Sequence, residues 1–202
     1  MPKQASLRMV WLEAFVAVAD EGTQGSAAKE LGLDQPTVSR YVGGLEGWLR
    51  KALLDPAIPG QLTDDGSEFL ITAIEVLVTL SQARGVKSDG FGELRFEWLE
   101  AFNAFATNEK QAAAAAELHV EQPVVSRHLR KLRDWLGQDD LVDRKMPRRL
   151  SPVGARFLPV AQEVLKLLNG ARAPLAAEAP LDWSGPATPT KFIKIPGRRD
   201  GP

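Results

Sequence analysis

The chain has 202 residues but no cysteine, only two histidines and only one tyrosine. Without cysteine it forms no disulfide bond, no thiolate metal site and no cysteine nucleophile. The two histidines have no ligand partners at metal-binding spacing, and the sequence has neither a phosphate-binding glycine loop nor a constellation of catalytic carboxylates. We therefore expect no metal, no cofactor and no enzymatic activity.

Long hydrophobic runs and a strong charge of either sign are also absent. No apolar run has the length of a membrane span, and the first residues lack the apolar core of a signal peptide. The formal net charge is −1, and 44% of the residues are hydrophobic, which suffices for two modest cores. These features predict a cytoplasmic protein that makes no membrane contact.

What the chain does contain is an internal duplication. Residues 7–49 align with residues 94–136 at a shift of 87 positions, with 22 identities among 43 pairs. After a one-residue gap the match resumes at a shift of 88, where Leu62 faces Leu150. A unit of this length exceeds the roughly 20–50 residues of a solenoid repeat and predicts two copies of one domain.

The duplication and the composition divide the chain into four parts. The two copies differ in charge, because residues 7–84 contain 6 Lys and Arg against 11 Asp and Glu, whereas residues 94–168 contain 12 against 10. The predicted parts are domain 1 with its linker helix over 1–84, a Gly-rich linker over 85–93, domain 2 with its linker helix over 94–170, and a Pro/Ala/Gly-rich tail over 171–202.

Helical patterns are clearest in the second unit. Apolar residues at helical spacing predict a helix over 94–106 and an Ala-rich helix over 111–118, for which Asn108 is the expected N-cap. A left-handed turn residue is expected after the second helix, at His119 and at its equivalent Gly32. In the first unit Asp34 is the expected cap of the third helix.

The third helix decides the fold class. In the second unit it begins near Gln122, and its apolar residues recur at i, i+4, i+7 and i+11 as a core stripe. This stripe consists of Val125, Leu129, Leu132 and Leu136. Two short helices, a tight turn and a third helix with an outward basic face are typical of a helix-turn-helix.

A hairpin and a longer helix complete each unit. Residues 141–150 place two short apolar stretches around a basic turn, which predicts a wing, and residues 152–169 have the apolar spacing of a helix. The predicted fold is mainly α, with two tandem winged helix-turn-helix domains. Each domain has a small β-hairpin wing and a long linker or dimerisation helix.

Several of these elements together resemble the N-terminal winged helix-turn-helix of LysR-type transcriptional regulators. The resemblance rests on Ala-Ala-x-x-Leu helices at 27–31 and 114–118, on Gln-Pro-x-x-Ser-Arg at 35–40 and 122–127, and on Leu-Thr/Ser-x-x-Gly at 62–66 and 150–154. It covers about three quarters of the chain. Members of this family usually carry an effector-binding domain after the linker helix, whereas this chain continues with a second unit, so we expect no inducer sensing of the family type.

The resemblance and the basic face imply contacts with double-stranded DNA. Glutamine and arginine can bind adenine and guanine edges in bidentate fashion, and basic side chains in the wing can bind phosphates. The predicted DNA-binding residues are Gln122, Pro123, Ser126, Arg127, Arg130, Lys131, Arg144, Lys145, Arg148 and Arg149 in the second unit, and Gln35, Pro36, Ser39 and Arg40 in the first. An ion pair, such as Arg130 with Asp134, is the competing interpretation for each arginine. His128 is expected at most to contact a phosphate.

The first unit is predicted to bind DNA more weakly. Its third helix has Gly43 and Gly44 where the second unit has Arg130 and Lys131, and its wing has no basic residue. We hypothesise that the second unit anchors the protein, so that removing Arg127 and Arg130 abolishes binding and removing Arg40 only reduces it.

The linker helix over 66–80 is apolar on most sides and needs burial on most sides. In the resembled family such helices pair into dimers. Two arrangements follow, an intramolecular pseudo-dimer between helices 66–80 and 154–168, or a homodimer in which like helices pair between chains. The predicted dimerisation residues are Phe69, Ile74, Leu77, Phe157, Val164 and Leu168.

The sequence thus favours a sequence-specific transcriptional regulator on the nucleoid, controlled by its abundance or by a protein co-regulator. One alternative is a plasmid or mobile-element replication or DNA-architecture protein, because tandem winged helices also resemble replication initiators. Another is an antirepressor that pairs with a second regulator through helix 66–80. In the tail, residues 191–195 alternate polar and apolar, as in a short strand that extends a wing or lies along DNA.

Overall fold

The computed structural model describes residues 6–84, 91–137, 141–143 and 149–172. Within these ranges the chain forms eight α-helices, four in each unit. In the first unit these are α1 (Met9–Glu21), α2 (Gln24–Glu30), α3 (Gln35–Leu49) and α4 (Asp64–Arg84). In the second unit they are α5 (Phe96–Asn108), α6 (Gln111–Glu117), α7 (Gln122–Leu136) and α8 (Pro152–Ala171). The predicted mainly α class is confirmed.

The two units start their second and third helices differently. In the first unit the Thr23 hydroxyl accepts the Ser26 N–H (3.0 Å), and the Asp34 carboxylate accepts the Thr37 N–H (2.6 Å). Their equivalents Lys110 and Glu121 make no such capping bond. The prediction that Asp34 caps α3 is therefore confirmed.

The predicted capping role of Asn108 is wrong. Asn108 is the last residue of α5, and its side-chain amide donates to the Ala104 carbonyl (2.8 Å) and to the Glu117 carboxylate (2.5 Å). The side chain therefore closes the end of α5, and the backbone of Lys110 occupies the N-cap position of α6.

Left-handed residues end the first three helices of each unit, and the copies distribute glycine differently among them. The predicted turn residues His119 and Gly32 have φ of 53° and 63°. Gly22 and Glu109 form an equivalent pair at 72° and 56°, and Arg50 and Gly137 form another at 60°. At each of these three positions one copy has glycine and the other has a different residue with the same left-handed φ. Non-glycine residues adopt this region at a cost, so the turn geometry is kept even where it is unfavourable for the side chain.

Each unit builds its core around its first helix. α1 packs against α2, α3 and α4, and α5 packs in the same way against α6, α7 and α8. The linker helices contribute aromatic rings to these cores, with Phe69 at 5.8 Å from Phe15 and Phe157 at 5.6 Å from Phe102 between ring centroids. Phe69 and Phe157, predicted for dimerisation, therefore lie inside their own units.

The wings are small in the described part of the chain. One antiparallel bridge joins Leu54 to Leu62 in the first unit, and another joins Val142 to Leu150 in the second. The predicted turn of the second wing, with Arg144, Lys145 and Arg148, lies outside the described residues.

The Leu-Thr/Ser-x-x-Gly element joins each wing to its linker helix. The hydroxyls of Thr63 and Ser151 accept the N–H groups of Gly66 (2.9 Å) and Gly154 (3.0 Å) and so cap the linker helices. A Cβ at Gly66 would lie 2.1 Å from the Leu53 carbonyl oxygen, and one at Gly154 would lie 2.2 Å from the Leu141 oxygen. The element thus requires a hydroxyl for the cap and glycine for the close approach of two backbones.

The linker helices of the two units pack against each other within the chain. The start of α4 and the end of α8 line one groove, and Ala83 at the end of α4 lines another with Val153 at the start of α8. The two helices therefore run antiparallel. Of the residues predicted for dimerisation, Val164 and Leu168 are buried, Leu77 is partly buried, and Ile74 is 44% exposed.

Equivalent residues of the two units also contact each other reciprocally. The Met9 N–H donates to the Leu94 carbonyl (2.9 Å), and the Phe96 N–H donates to the Leu7 carbonyl (3.0 Å). Met9 and Phe96 are equivalent in the duplication, as are Leu7 and Leu94. Reciprocal contacts of this kind are typical of an interface with two-fold symmetry.

A second reciprocal contact joins each linker helix to the third helix of the other unit. The Arg84 guanidinium lies 5.1 Å from the Trp135 ring centroid, and that of Arg172 lies 4.9 Å from the Trp48 centroid. The Arg172 Nε also donates to the Trp48 carbonyl (3.1 Å). Each arginine thereby fixes the end of a linker helix to the opposite unit.

A half-buried carboxyl lies beside this contact. The pKa of Glu100 on α5 is raised to about 7, first because burial disfavours its ionised form and second because Glu97 is close, while Arg172 acts in the opposite direction. The pKa of its equivalent Glu13 is also raised by burial, and the Phe91 N–H, which donates to Glu13 (3.0 Å), opposes the shift. Both units therefore hold an acid that is costly to ionise at the same position.

Replacing Glu100 with glutamine is expected to stabilise the protein at about pH 8 and to change little near pH 4.5. The folded pKa lies above the value of 4.5 for the unfolded chain, so the wild type loses stability as the pH rises from 4.5 to about 7. Since the side chain is partly exposed, we expect a gain of about 1 to 2 kcal/mol rather than the full effect of the shift. Urea unfolding at both pH values measures it. Glu75→Gln on the exposed side of α4 is the control, and an equal gain at both pH values would contradict the assignment.

Candidate nucleic-acid interface

The exposed face of α7 carries the polar residues predicted from the sequence. α7 buries Val125, Leu129, Leu132, Trp135 and Leu136 on its opposite side. Because this apolar stripe fixes the rotation of the helix, the other side chains point outward together. Gln122, Pro123, Arg127, Arg130 and Lys131 are exposed, and Ser126 is half-buried.

Among the described residues, no acid forms an ion pair with the arginines on this face. The competing interpretation of an ion pair between Arg130 and Asp134 does not hold, because the Asp134 carboxylate pairs with its neighbour Arg133 (2.6 Å). In the described part of the chain no ion pair within 4 Å involves Arg127 or Arg130. Their guanidinium groups are therefore available to bind an anion or a base edge.

The expectation that His128 contacts a phosphate is not supported by its position. The side chain is half-buried, and the pKa is lowered mainly by burial, with Arg127 adding to the shift and Glu97 opposing it. Burial beside Glu97 of α5 makes His128 part of the packing between α7 and α5, with a neutral ring at pH 7.

α3 presents the corresponding face in the first unit with fewer charges. Gln35, Pro36, Ser39 and Arg40 are exposed. The Arg40 guanidinium donates to the Thr37 hydroxyl (3.3 Å) and lies 5.8 Å from the Tyr41 ring centroid. This arginine is therefore partly engaged by its own helix.

Two further features reduce the positive charge of the first face. Gly43 has open space around its Cα, whereas the Trp11 ring lies 3.0 Å from where a Cβ at Gly44 would stand. Lys51, at the end of α3, pairs with Asp65 of α4 (2.9 Å), and this hydrogen bond raises the lysine's pKa. The ion pair thus neutralises a lysine that lies just after α3 in the first unit.

The second wing adds Arg149 to the described part of the site. Arg149 is exposed, and its carbonyl accepts the Asp143 N–H (2.8 Å) across the hairpin. The structure therefore places Arg149 in the same unit as the α7 residues.

Sequence reasoning missed the two residues that hold the units together most specifically. Arg84 and Arg172 were not predicted for any role, although they occupy equivalent positions at the shift of 88. The recurrence of an arginine at the end of two otherwise different helices was the available signal. Trp48 and Trp135, which they contact, recur in the same way at the shift of 87.

The fold and the two exposed third-helix faces define a tandem helix-turn-helix protein. The model of the family described as "Bacterial regulatory helix-turn-helix protein, lysR family" matches twice, over residues 9–67 and 96–155. These matches cover more than half of the chain, and the protein belongs to this family. The predicted recognition of two LysR-type units is confirmed.

The curated relatives match over a fraction of their length. The chain is 40% identical over 78 residues to the uncharacterized HTH-type transcriptional regulator YdcI of Escherichia coli, which covers 38% of this chain and 25% of that protein. It is 34% identical over 93 residues to the HTH-type transcriptional regulator TfdS of Cupriavidus pinatubonensis, covering 44% and 32%. The chain thus spans between a quarter and a third of the length of these relatives.

Two solved structures of related proteins include DNA. The CbnR_DBD–DNA complex is 34% identical, with 39% of this chain and 90% of that chain covered and a TM-score of 0.37. Vibrio fischeri DarR in complex with DNA is 33% identical, with 39% and 27% covered and a TM-score of 0.37. None of the helices in the described part of the present chain is long and apolar enough to cross a membrane.

Proposed function

We propose that this protein is a sequence-specific transcriptional regulator that binds double-stranded DNA through its two helix-turn-helix units. The observation that carries the proposal is the outward face of α7, where Gln122, Arg127 and Arg130 are exposed and the competing acid is paired elsewhere. Glutamine and arginine are the side chains that read adenine and guanine edges in the major groove. The proposed site of action is the nucleoid, in the cytoplasm, and no enzymatic role is proposed.

The two units are proposed to act as an intramolecular pseudo-dimer with unequal halves. The packing of α4 on α8 and the reciprocal contacts of Arg84 and Arg172 support this arrangement. The second unit supplies most of the affinity, because α3 has Gly43 and Gly44 where α7 has the cations Arg130 and Lys131, which can bind phosphates and bases. The first unit orients the protein and contributes a weaker half-site through Gln35, Ser39 and Arg40.

The experiment that tests the proposed function is capture of sheared genomic DNA by the purified full chain, followed by sequencing. We expect a few strong sites near promoters that share a two-part motif with fixed half-site spacing. A matched capture with Arg127→Ala/Arg130→Ala should lose these sites. Diffuse recovery by both proteins, lost with modest added salt, would reduce the interaction to phosphate electrostatics and overturn the proposal.

A further inference from the structure

The first unit has an apolar groove between α1 and α4. The groove has a volume of about 360 Å³. Its apolar lining includes Val16, Leu31, Leu70, Ile74 and Leu77. Ile74 is 44% exposed, so part of this lining faces solvent. We call this surface the α1–α4 groove.

The exposed apolar surface continues from the groove along the outer side of α4. Ile71 is 71% exposed and Val78 is 48% exposed, and with Ile74 they follow the i, i+3, i+7 spacing of one helix face. Exposed β-branched residues in such a row cost stability unless something covers them. A contiguous apolar surface of this kind marks a docking site.

The second unit replaces three of these apolar positions with polar residues and a fourth with proline. The equivalents of Val16 and Ile74 are Asn103 and Gln162, and the Gln162 amide donates to the Asn103 side-chain oxygen (3.2 Å). The equivalents of Ile71 and Val78 are Pro159 and Lys166. A hydrogen bond thus joins α5 to α8 at the place where the first unit has two unbonded apolar side chains. The apolar lining at Val16 and Ile74 is therefore specific to the first copy.

Acidic side chains surround the groove and indicate the charge of its occupant. Glu13, Asp20 and Glu30 line it together with the apolar residues. The first unit as a whole is acidic, with 6 Lys and Arg against 11 Asp and Glu over residues 7–84. A segment that combines large apolar side chains with several cations would match both features.

The chain itself contains such a segment beyond the described residues. Residues 191–199 read Lys-Phe-Ile-Lys-Ile-Pro-Gly-Arg-Arg, with three large apolar side chains and four cations. We call it the basic tail segment. Over the whole tail from residue 173 to 202, every Lys and Arg lies within this segment.

The connection to the basic tail segment is long enough to reach the groove. α8 ends at Ala171, and its last turn lines a groove with Thr72 of α4, close to Ile71 in sequence. Eighteen residues, 173–190, separate the described chain from the basic tail segment. At about 3.3 Å per residue, eighteen residues can span up to about 59 Å, compared with about 32 Å for the whole of a 21-residue helix such as α4.

We propose that the basic tail segment, residues 191–199, docks in the α1–α4 groove of its own chain, with Phe192, Ile193 and Ile195 on the apolar lining and the cations beside the acidic residues. Docking covers the exposed row on α4 and places positive charge on the acidic unit. Docking does not require that the protein regulate transcription, so the docking proposal can be tested independently of the proposed function.

The absence of cysteine allows a direct test on the full chain. A nitroxide spin label attached to Gly197→Cys should broaden the methyl signals of Val16, Leu70, Ile74 and Leu77. The methyl signals of Leu158 and Leu165, at the equivalent positions in the second unit, provide an internal control and should stay sharp. In a second sample, spin-labelled protein without isotope enrichment is mixed with isotope-enriched protein that carries no spin label. The methyl signals of the enriched chains should then show no broadening.

Two variants separate docking from a nonspecific effect. Val16→Asn/Ile74→Gln copies the polar pair of the second unit into the groove and should remove the broadening. Lys191→Glu/Lys194→Glu changes only the tail, leaves the core intact, and should remove it as well.

Broadening within one chain that both variants abolish supports the proposal. Broadening that is absent, uniform, centred on α7 or found only between chains overturns it. The last of these outcomes would assign the groove to a second copy, and broadening at α7 would assign the basic tail segment to the nucleic-acid face.

Discussion

The double variant Arg127→Ala/Arg130→Ala is expected to lower the affinity for a specific DNA site by at least about 100-fold, whereas Arg40→Ala lowers it by no more than about tenfold. Each bidentate arginine contact with a base contributes about 1 to 3 kcal/mol, so two such contacts account for the larger loss. Arg127 and Arg130 have no ion pair among the described residues, whereas Arg40 donates to Thr37 on its own helix. The larger loss of DNA affinity expected for the α7 variant follows from this difference between α7 and α3.

Fluorescence anisotropy titrations at several salt concentrations measure this effect. Arg156→Ala/Lys166→Ala removes the same charge from exposed positions of α8 and should leave the affinity nearly unchanged. If Arg127 and Arg130 contact bases, specific binding should fall far more than nonspecific binding. Equal losses from Arg40→Ala and from the α7 variant would show that both units anchor the protein.

The variant Gly154→Ala is expected to destabilise the protein by at least about 2 kcal/mol. A Cβ at this position would lie 2.2 Å from the Leu141 carbonyl oxygen, so the start of α8 and the first strand of the wing must move apart. The neighbouring atom belongs to the backbone, which cannot rotate away as a flexible side chain would. The wing then loses its fixed position relative to α7, and DNA affinity should fall together with stability.

Urea unfolding of Gly154→Ala beside Gly170→Ala isolates the cause. Gly170 lies in the same helix, and a Cβ there meets nothing within 4 Å. This control should be neutral or stabilised by up to about 1 kcal/mol, because alanine favours the helix and restricts the unfolded chain. Comparable destabilisation by both substitutions would mean that helix propensity, and not the contact with Leu141, governs the position.

The sequence predicted the parts of the fold that depend on local signals. The stripe from Val125 to Leu136 identified the buried side of α7, since a helix with a period of 3.6 residues leaves one choice of face. The left-handed residues at Gly32 and His119 were predicted because glycine in one copy and histidine in the other follow the same short helix. The cap at Asp34 followed from side-chain chemistry alone.

Contacts between distant segments were predicted less well. The apolar character of helix 66–80 called for a partner but could not distinguish α8 of the same chain from a like helix of another chain, because periodicity carries no information about connectivity. The capping role predicted for Asn108 was wrong for a different reason. Its side-chain amide donates to Ala104 of α5 and Glu117 of α6, and these contacts depend on how the two helices pack. The DNA-binding assignments themselves remain predictions.

The location of both linker helices in one chain changes how their pairing responds to dilution. Two separate chains associate by mass action, so their dimer dissociates when few copies are present. A tethered partner instead has an effective concentration on the order of millimolar, set by the connection and not by expression. The paired form of α4 and α8 should therefore persist at a handful of molecules per cell. It should also exchange poorly with linker helices of other family members, because any foreign helix competes against a partner that is always present.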